Sequence, residues 1–284
     1  MKILTWTTLL CGALLSSCAP SPLLPPPPGI PTTAPIYLTD IIKRAPITAP
    51  PAVLPPPPAP EIPRHSLASK TITASAITFT IVTFDRRDHT LSVADQPGGP
   101  DSKWRSAERA GSGSLAAING GFFTPEGKPL GLVITDGQRR GGLNRASSLG
   151  SGFFIGGDER LLSRESYLST KPTSKNLLQT GPRLVWDGNT ISGLSKGDNR
   201  PRSFLLWDGQ HHFAIGHADS ANLSSLANAL GKQPISGFKI HHALNLDGGR
   251  SSDLWVSSSV NGGPLTRRGW LNKSVRNYLV LRRD

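Results

Sequence analysis

The chain has almost no sulfur: two cysteines and one methionine in 284 residues. Both cysteines, Cys11 and Cys18, sit near the start. Everything after them therefore lacks a disulfide, a cysteine metal ligand and a cysteine nucleophile. Aromatic residues are also scarce, at 6%, and none is interleaved with a basic run. With 31 Lys and Arg against 19 Asp and Glu, the formal charge is +12, yet the basic residues occur as scattered pairs such as Arg86-Arg87 and Arg139-Arg140. That pattern argues against a nucleic-acid binder built on a basic helix or a stacking platform, and points instead to an anionic partner of another kind. No phosphate-binding loop, dinucleotide fingerprint or His-x-x-x-His pair is present, which removes the enzyme classes those motifs announce.

The N-terminus has its own character. Lys2, an apolar stretch from Ile3 to Leu15 and then Leu15-Ser16-Ser17-Cys18 read as a lipoprotein signal over residues 1–17, with lipidation at Cys18. The apolar stretch is too short for a membrane span. Acyl chains on Cys18 would hold the chain to a membrane. Seventeen of the 26 prolines then fall between Pro20 and Pro63, so residues 18–64 read as a disordered spacer favouring polyproline II. Residues 65–284 are long enough for one domain with a sizeable core. The expected location is the bacterial cell envelope. Ala19 carries no inner-membrane retention signal, which favours the outer membrane and periplasm.

From Thr71 onward the pattern predicts an α+β domain: a mixed, mostly antiparallel sheet with a few flanking helices. Residues 71–85 read as one alternating strand that pairs with residues 90–93 through the turn at Asp85-Arg86-Arg87-Asp88. Residues 102–110 read as a short helix and residues 130–135 as a strand closed by Asp136-Gly137. Leu223, Leu226, Ala227 and Leu230 recur at helical spacing. They predict a helix capped by Ser220 or Asn222 and ended by Gly231.

Two segments stand out: Ala117-Ile118-Asn119-Gly120-Gly121-Phe122-Phe123 and Ala243-Leu244-Asn245-Leu246-Asp247-Gly248-Gly249-Arg250-Ser251-Ser252. Each is an apolar run ending in a polar residue and paired glycines. Each reads as a buried strand whose tip presents one side chain and bare backbone N–H groups. Two such tips, far apart in sequence, predict one pocket assembled from both.

These segments come with further blocks: Pro129-Leu130-Gly131-Leu132-Val133-Ile134, Gln179-Thr180-Gly181-Pro182-Arg183-Leu184-Val185 with Asp187-Gly188, Arg202-Ser203, and Asn277-Tyr278-Leu279-Val280. In this order and spacing, over about residues 70–283, the chain resembles the phosphodiester glycosidase family. Phe204-Leu205-Leu206 after Arg202-Ser203, and Arg250 after the second glycine pair, depart from the family pattern and bear on the pocket's shape. The resemblance implies hydrolysis of a sugar-1-phosphodiester. That reaction needs a carboxylate to stabilise an oxocarbenium-like carbon, and cations or N–H donors to hold the departing phosphate. Asp247 suits the first role and Arg202 the second, with Asn119 as the third member of the catalytic set. Gly120, Gly121, Asn245, Gly248, Gly249, Arg250, Ser251 and Arg183 are the candidate substrate-binding residues. Glu126 is a further loop carboxylate. The adjacent histidines of His211-His212 and His241-His242 should point to opposite faces of a strand, so no metal site is expected from them. No cofactor is expected, and a divalent cation stays open. The competing reading is a non-catalytic envelope lipoprotein that holds an anionic glycan in the same pocket.

Overall fold

Three antiparallel sheets enclose a shared apolar centre. The computed structural model describes residues 64–97, 101–232 and 235–284. The lipoprotein signal, Cys18 and the proline-rich spacer lie outside the described residues. Residues Pro60–Asp284 form one compact unit.

The largest sheet has seven strands, β1 (Ala68–Ala74), β2 (Ile77–Asp85), β13 (His212–Ala221), β12 (Arg200–Trp207), β14 (His242–Asn245), β10 (Arg183–Trp186) and β11 (Asn189–Thr190), in that spatial order. A second holds β16 (Leu265–Arg268), β15 (Asp253–Val256), β4 (Ala116–Asn119), β17 (Asn277–Arg283) and β3 (His89–Asp95). The third holds β6 (Gln138–Arg140), β5 (Val133–Thr135), β9 (Asn176–Thr180), β7 (Gly152–Gly156) and β8 (Arg160–Ser163). Among the described residues three helices accompany them, α1 (Ala107–Ala110), α2 (Arg164–Thr170) and α3 (Leu223–Lys232).

The side-chain alternation of the central strands explains the layering. On β2, Val82 and Phe84 face the common core with Leu205 of β12, Leu244 of β14, Ile118 of β4, Leu279 of β17 and Phe154 of β7. Ile77, Phe79 and Ile81 face the opposite way, against Phe204, Leu206 and Ala243, and meet the apolar stripe Leu226, Ala227 and Leu230 of α3. Strands buried on both faces read as nearly continuous apolar runs, and here the helix supplies the second cover.

Several elements depart from the sequence expectation. Residues 71–85 are a hairpin, not one strand: Ser75 and Ala76 turn the chain with φ of 52° and 60°. Thr71 then faces Thr80 across the ladder. No glycine marks that turn, so the sequence carries no signal for it. β3 does not return to β2. It joins the second sheet, pairing with β17 from Asp95↔Asn277 to His89↔Arg283. The helix expected over residues 102–110 is reduced to α1, because Gln96 Oε1 accepts from Trp104 N at 2.7 Å and holds the preceding backbone out of the helix. Ser106 then caps it. The strand expected from residue 130 starts at Val133, since Leu130 N donates to Phe122 O (2.9 Å) and Leu132 N to Gln179 Oε1 (3.0 Å). Asn222 caps α3, its Oδ1 accepting from Ser225 N at 2.8 Å. Gly231 lies inside the helix, against Thr190 of β11, rather than past its end.

Candidate active site

The two glycine-paired tips meet. β4 ends at Asn119 and β14 at Asn245, and the chain beyond each is stitched to the other. Asp247 N donates to Gly120 O at 2.9 Å, and Asn119 Nδ2 donates to Asp247 O at 2.7 Å. The first tip is then locked from behind by Asn277 of β17. Gly120 N donates to Asn277 O (2.9 Å) and Gly121 N to Asn277 Oδ1 (2.8 Å). A Cβ on Gly120 would overlap that same Oδ1, so only glycine allows the approach.

Asn119 is fully buried. Its Oδ1 accepts from Ser203 Oγ at 2.6 Å and from Asp253 N at 3.0 Å. With both ends of the amide engaged by protein, it holds the backbone of Asp247 and does not reach into the cavity. Asn245 is also buried. Its Nδ2 donates to Gly181 O (2.9 Å) and Leu246 O (2.6 Å). The sequence puts Asn119 in the catalytic set and Asn245 among the substrate-binding residues. The structure places them beneath the site as positioning residues, because each sits on a strand enclosed by neighbours.

Asp247 stands at the surface of this assembly, half-buried, in a cavity of about 370 Å³ lined by Phe122, Arg200, Arg202, Gly248, Gly249, Arg250, Ser251 and Lys273. Gly248 N donates to its Oδ1 at 2.9 Å. Burial pushes its carboxyl up to about 6, partly offset by the Ser251 hydroxyl, the Gly248 N–H and the charge of Arg202. Among the described residues it is the only carboxylate lining this cavity. Arg202 is positioned by β12, its Nε donating to Ala221 O at 2.9 Å. Its guanidinium packs beside Gly248, with Nη1 at 3.3 Å from where a Cβ would lie. Burial, and then the neighbouring Arg200, lower its pKa. Arg202 stays charged at neutral pH, and the crowding of cations makes the cavity favourable to an anion. A short 3-10 turn, Gly249–Ser251, follows Asp247. Residues 269–273 dock on it: Arg250 Nε donates to Leu271 O (3.1 Å) and Lys273 N to Arg250 O (3.2 Å).

The family profile described as phosphodiester glycosidase matches residues 112–282. The chain belongs to the phosphodiester glycosidase family, and it is a hydrolase. Among solved structures it is similar to the catalytic domain of zebrafish N-acetylglucosamine-1-phosphodiester alpha-N-acetylglucosaminidase, auto-inhibited by its pro-peptide. Identity is 20%, the match covers 76% of this chain and 82% of that one, and the TM-score is 0.53. It is also similar to a hypothetical protein from Synechocystis at 15% identity, covering 75% of this chain and 61% of that one, with a TM-score of 0.50. Both likenesses concern the fold. No curated protein matches the chain.

Within this phosphodiester glycosidase fold, Gly248, Gly249, Arg250 and Ser251 share the cavity with Asp247 and Arg202. Arg183 does not line it: its guanidinium lies over the Trp186 ring (5.2 Å) and pairs with Glu165 (3.5 Å). Glu126 is exposed and also outside the lining. Arg200 and Lys273 join the cavity without a sequence signal, and Phe122 joins it from the first glycine-paired segment, though not among the expected site residues. They come from a strand start, a loop and the residue after a glycine pair, which only tertiary packing brings together.

The histidine expectation needs correction. His241 precedes β14 rather than lying on it, so its ring folds against that of His242, with the two Nδ1 atoms 3.1 Å apart. His242 Nε2 lies 3.2 Å from Asp187 Oδ1. These three residues form a group able to offer ligand atoms to a metal ion. The group sits at the far end of β14 from Asp247, about 16 Å along the strand at ~3.3 Å per residue.

Proposed function

We propose that this chain is an envelope-tethered hydrolase that cleaves a glycosyl phosphodiester in cell-surface glycans or polysaccharide, with Asp247 as the essential carboxylate. The observation that carries this reading is the cavity's charge pattern: one carboxylate among Arg200, Arg202, Arg250 and Lys273. Ordinary glycosidases flank the scissile bond with two carboxyl groups, one of which protonates a poor leaving group. A phosphate ester leaves as a stabilised anion and has no need of that acid. Cations replace it by holding the departing charge.

In this reading the anomeric C–O bond breaks with its electron pair going to the phosphate oxygen. The positive charge that develops on the anomeric carbon faces the Asp247 carboxylate. Arg202 and its cationic neighbours hold the phosphate. Water then supplies the hydroxyl of the released sugar, and its proton leaves to solvent. Asp247 must be ionised for this, so its raised pKa sets the acid limb of activity. The proline-rich spacer and lipidated Cys18 would hold the domain at the outer membrane or in the periplasm, within reach of envelope glycans.

The test is incubation of the purified protein with a panel of sugar-1-phosphodiesters, including UDP-N-acetylglucosamine, beside Asp247→Asn. Free sugar from the native protein and none from the variant supports the reading. Equal release by both removes Asp247 from its role. Binding without product, across sugars and with divalent cations added, supports a non-catalytic glycan-binding lipoprotein instead.

A further inference from the structure

The Asp247 cavity is not a dead end. On one side it shares Lys273 with a larger cavity of about 480 Å³, whose lining includes Arg105, Phe123 and Arg268. On the other it shares Arg200 and Arg250 with a third, of about 370 Å³, bordered by Trp270 and Leu271. Asn272 lines both flanking cavities, so the segment over residues 269–274 runs beside all three. The Asp247 cavity therefore adjoins both others, and the three are taken together as one groove. Each flanking cavity falls in the size range that encloses a whole small ligand, so there is room beyond a single diester in both directions.

Charge runs the length of this groove. Arg105 and Arg268 lie on one flank, Lys273, Arg202, Arg200 and Arg250 near the centre. Arg268 shares its charge with Asp253 at 3.7 Å and Arg200 with Asp198 at 3.0 Å. Arg105 Nη1 donates to Ser274 Oγ at 3.3 Å. Asp247 is the only carboxylate among the described lining residues of the three cavities. An apolar ring stands at each end: Phe123 on one flank, and on the other Trp270, which is 92% exposed. An indole left that open beside a polar rim has the make-up of a platform for the C–H face of a sugar ring.

Building on the glycosyl-phosphodiesterase reading, we infer that the substrate is a polyanionic glycan that lies along the whole groove, carries an anionic group on more than one repeat, and is cut inside the chain. The cut adds one water across an internal C–O–P linkage. It leaves a free anomeric hydroxyl on one fragment and a phosphomonoester on the other. A nucleic-acid strand is the competing polyanion, but the basic residues are scattered as pairs rather than gathered on a basic helix or a stacking platform.

The experiment uses the purified full chain, a hexamer of sugar-1-phosphate repeats and the matching single diester. Binding is read by calorimetry on Asp247→Asn, and turnover on the native protein. The hexamer is expected to bind at least tenfold tighter than the single diester, with an advantage that shrinks as salt is added. Native protein should first yield mid-length fragments. Trp270→Ala and Arg105→Gln should each lower kcat/KM at least fivefold more on the hexamer than on the single diester. Equal affinity for the two ligands, sugar released only from chain ends, or equal losses on both substrates would overturn the inference. So would an oligonucleotide of matched charge that binds as tightly as the hexamer. Tight hexamer binding with no turnover of either ligand would instead overturn the hydrolytic reading and leave the groove assignment standing.

Discussion

The two glycine-paired tips share a sequence logic and part ways in the fold. At residues 119–121 the tip is sealed: Asn119, Gly120 and Gly121 are all buried, and β17 closes over them through Asn277. At residues 247–251 the turn borders the cavity, so Asp247 remains half-open and Arg250 is exposed. One tip became a fastener and the other a site. What separates them is the neighbour each acquires past its strand, since Asn277 bonds the backbone of Gly120 and Gly121 whereas Asp247 opens into a cavity. The lesson concerns division of labour. A carboxylate that must keep a raised pKa and a fixed direction needs a rigid base, and the buried tip supplies it through the Asn119 amide.

The largest effect expected from breaking this comparison is chemical. Asp247→Asn keeps shape and hydrogen-bonding size but removes the charge, and should lower kcat/KM by about 10³-fold or more while far-UV circular dichroism stays native. Next comes the sealed tip. Asn119→Ala strands Ser203 Oγ, Asp253 N and Asp247 O in the interior, so it should cost roughly 2–4 kcal/mol of stability, read by chemical denaturation. Activity should fall with the folded fraction.

Arg202→Gln should lower kcat/KM about 10- to 100-fold by weakening the hold on the departing phosphate. Smaller again is the pH effect on stability. The Asp247 carboxyl is raised by burial to about 6 from 3.8, so its ionisation favours the unfolded chain. Its cost is absent below about pH 4 and complete above about pH 6. Asp247→Asn should therefore stabilise the fold above pH 6 by on the order of 1–2 kcal/mol, a gain that vanishes below pH 4. In the native enzyme kcat/KM should climb with pH, reach half its plateau near pH 6 and level off above it. The smallest effect belongs to Arg183→Ala. That residue spends its charge on Glu165 and the Trp186 ring, away from the cavity, and should change kcat/KM less than about twofold.

Much of this was readable along the chain wherever a signal was local. The apolar stripe of α3, its Asn222 cap, the Asp136-Gly137 and Asp187-Gly188 turns and both glycine-paired tips are short-range patterns, and the structure shows each of them. The hairpin at Ser75-Ala76 was not readable, because its residues adopt left-handed backbone without a glycine or asparagine to announce it. β3 was assigned the wrong partner for a related reason: a short turn at residues 85–88 looks the same whether the next strand folds back or crosses to another sheet. The histidine pair misled because the alternation rule applies inside a strand, and His241 stands just outside one.

By itself, then, the sequence determined the family, the identity of the two tips and the presence of a carboxylate beside paired glycines, since these rest on residue types and spacing within a few positions. Only the tertiary structure decided that Asn119 and Asn245 lie beneath the site, that Arg183 faces away, and that Arg200, Lys273 and Phe122 gather around Asp247. Those outcomes depend on which strands pair and what closes over each tip. Burial and electrostatics arise from atoms brought together across long sequence separations, and no local pattern encodes them.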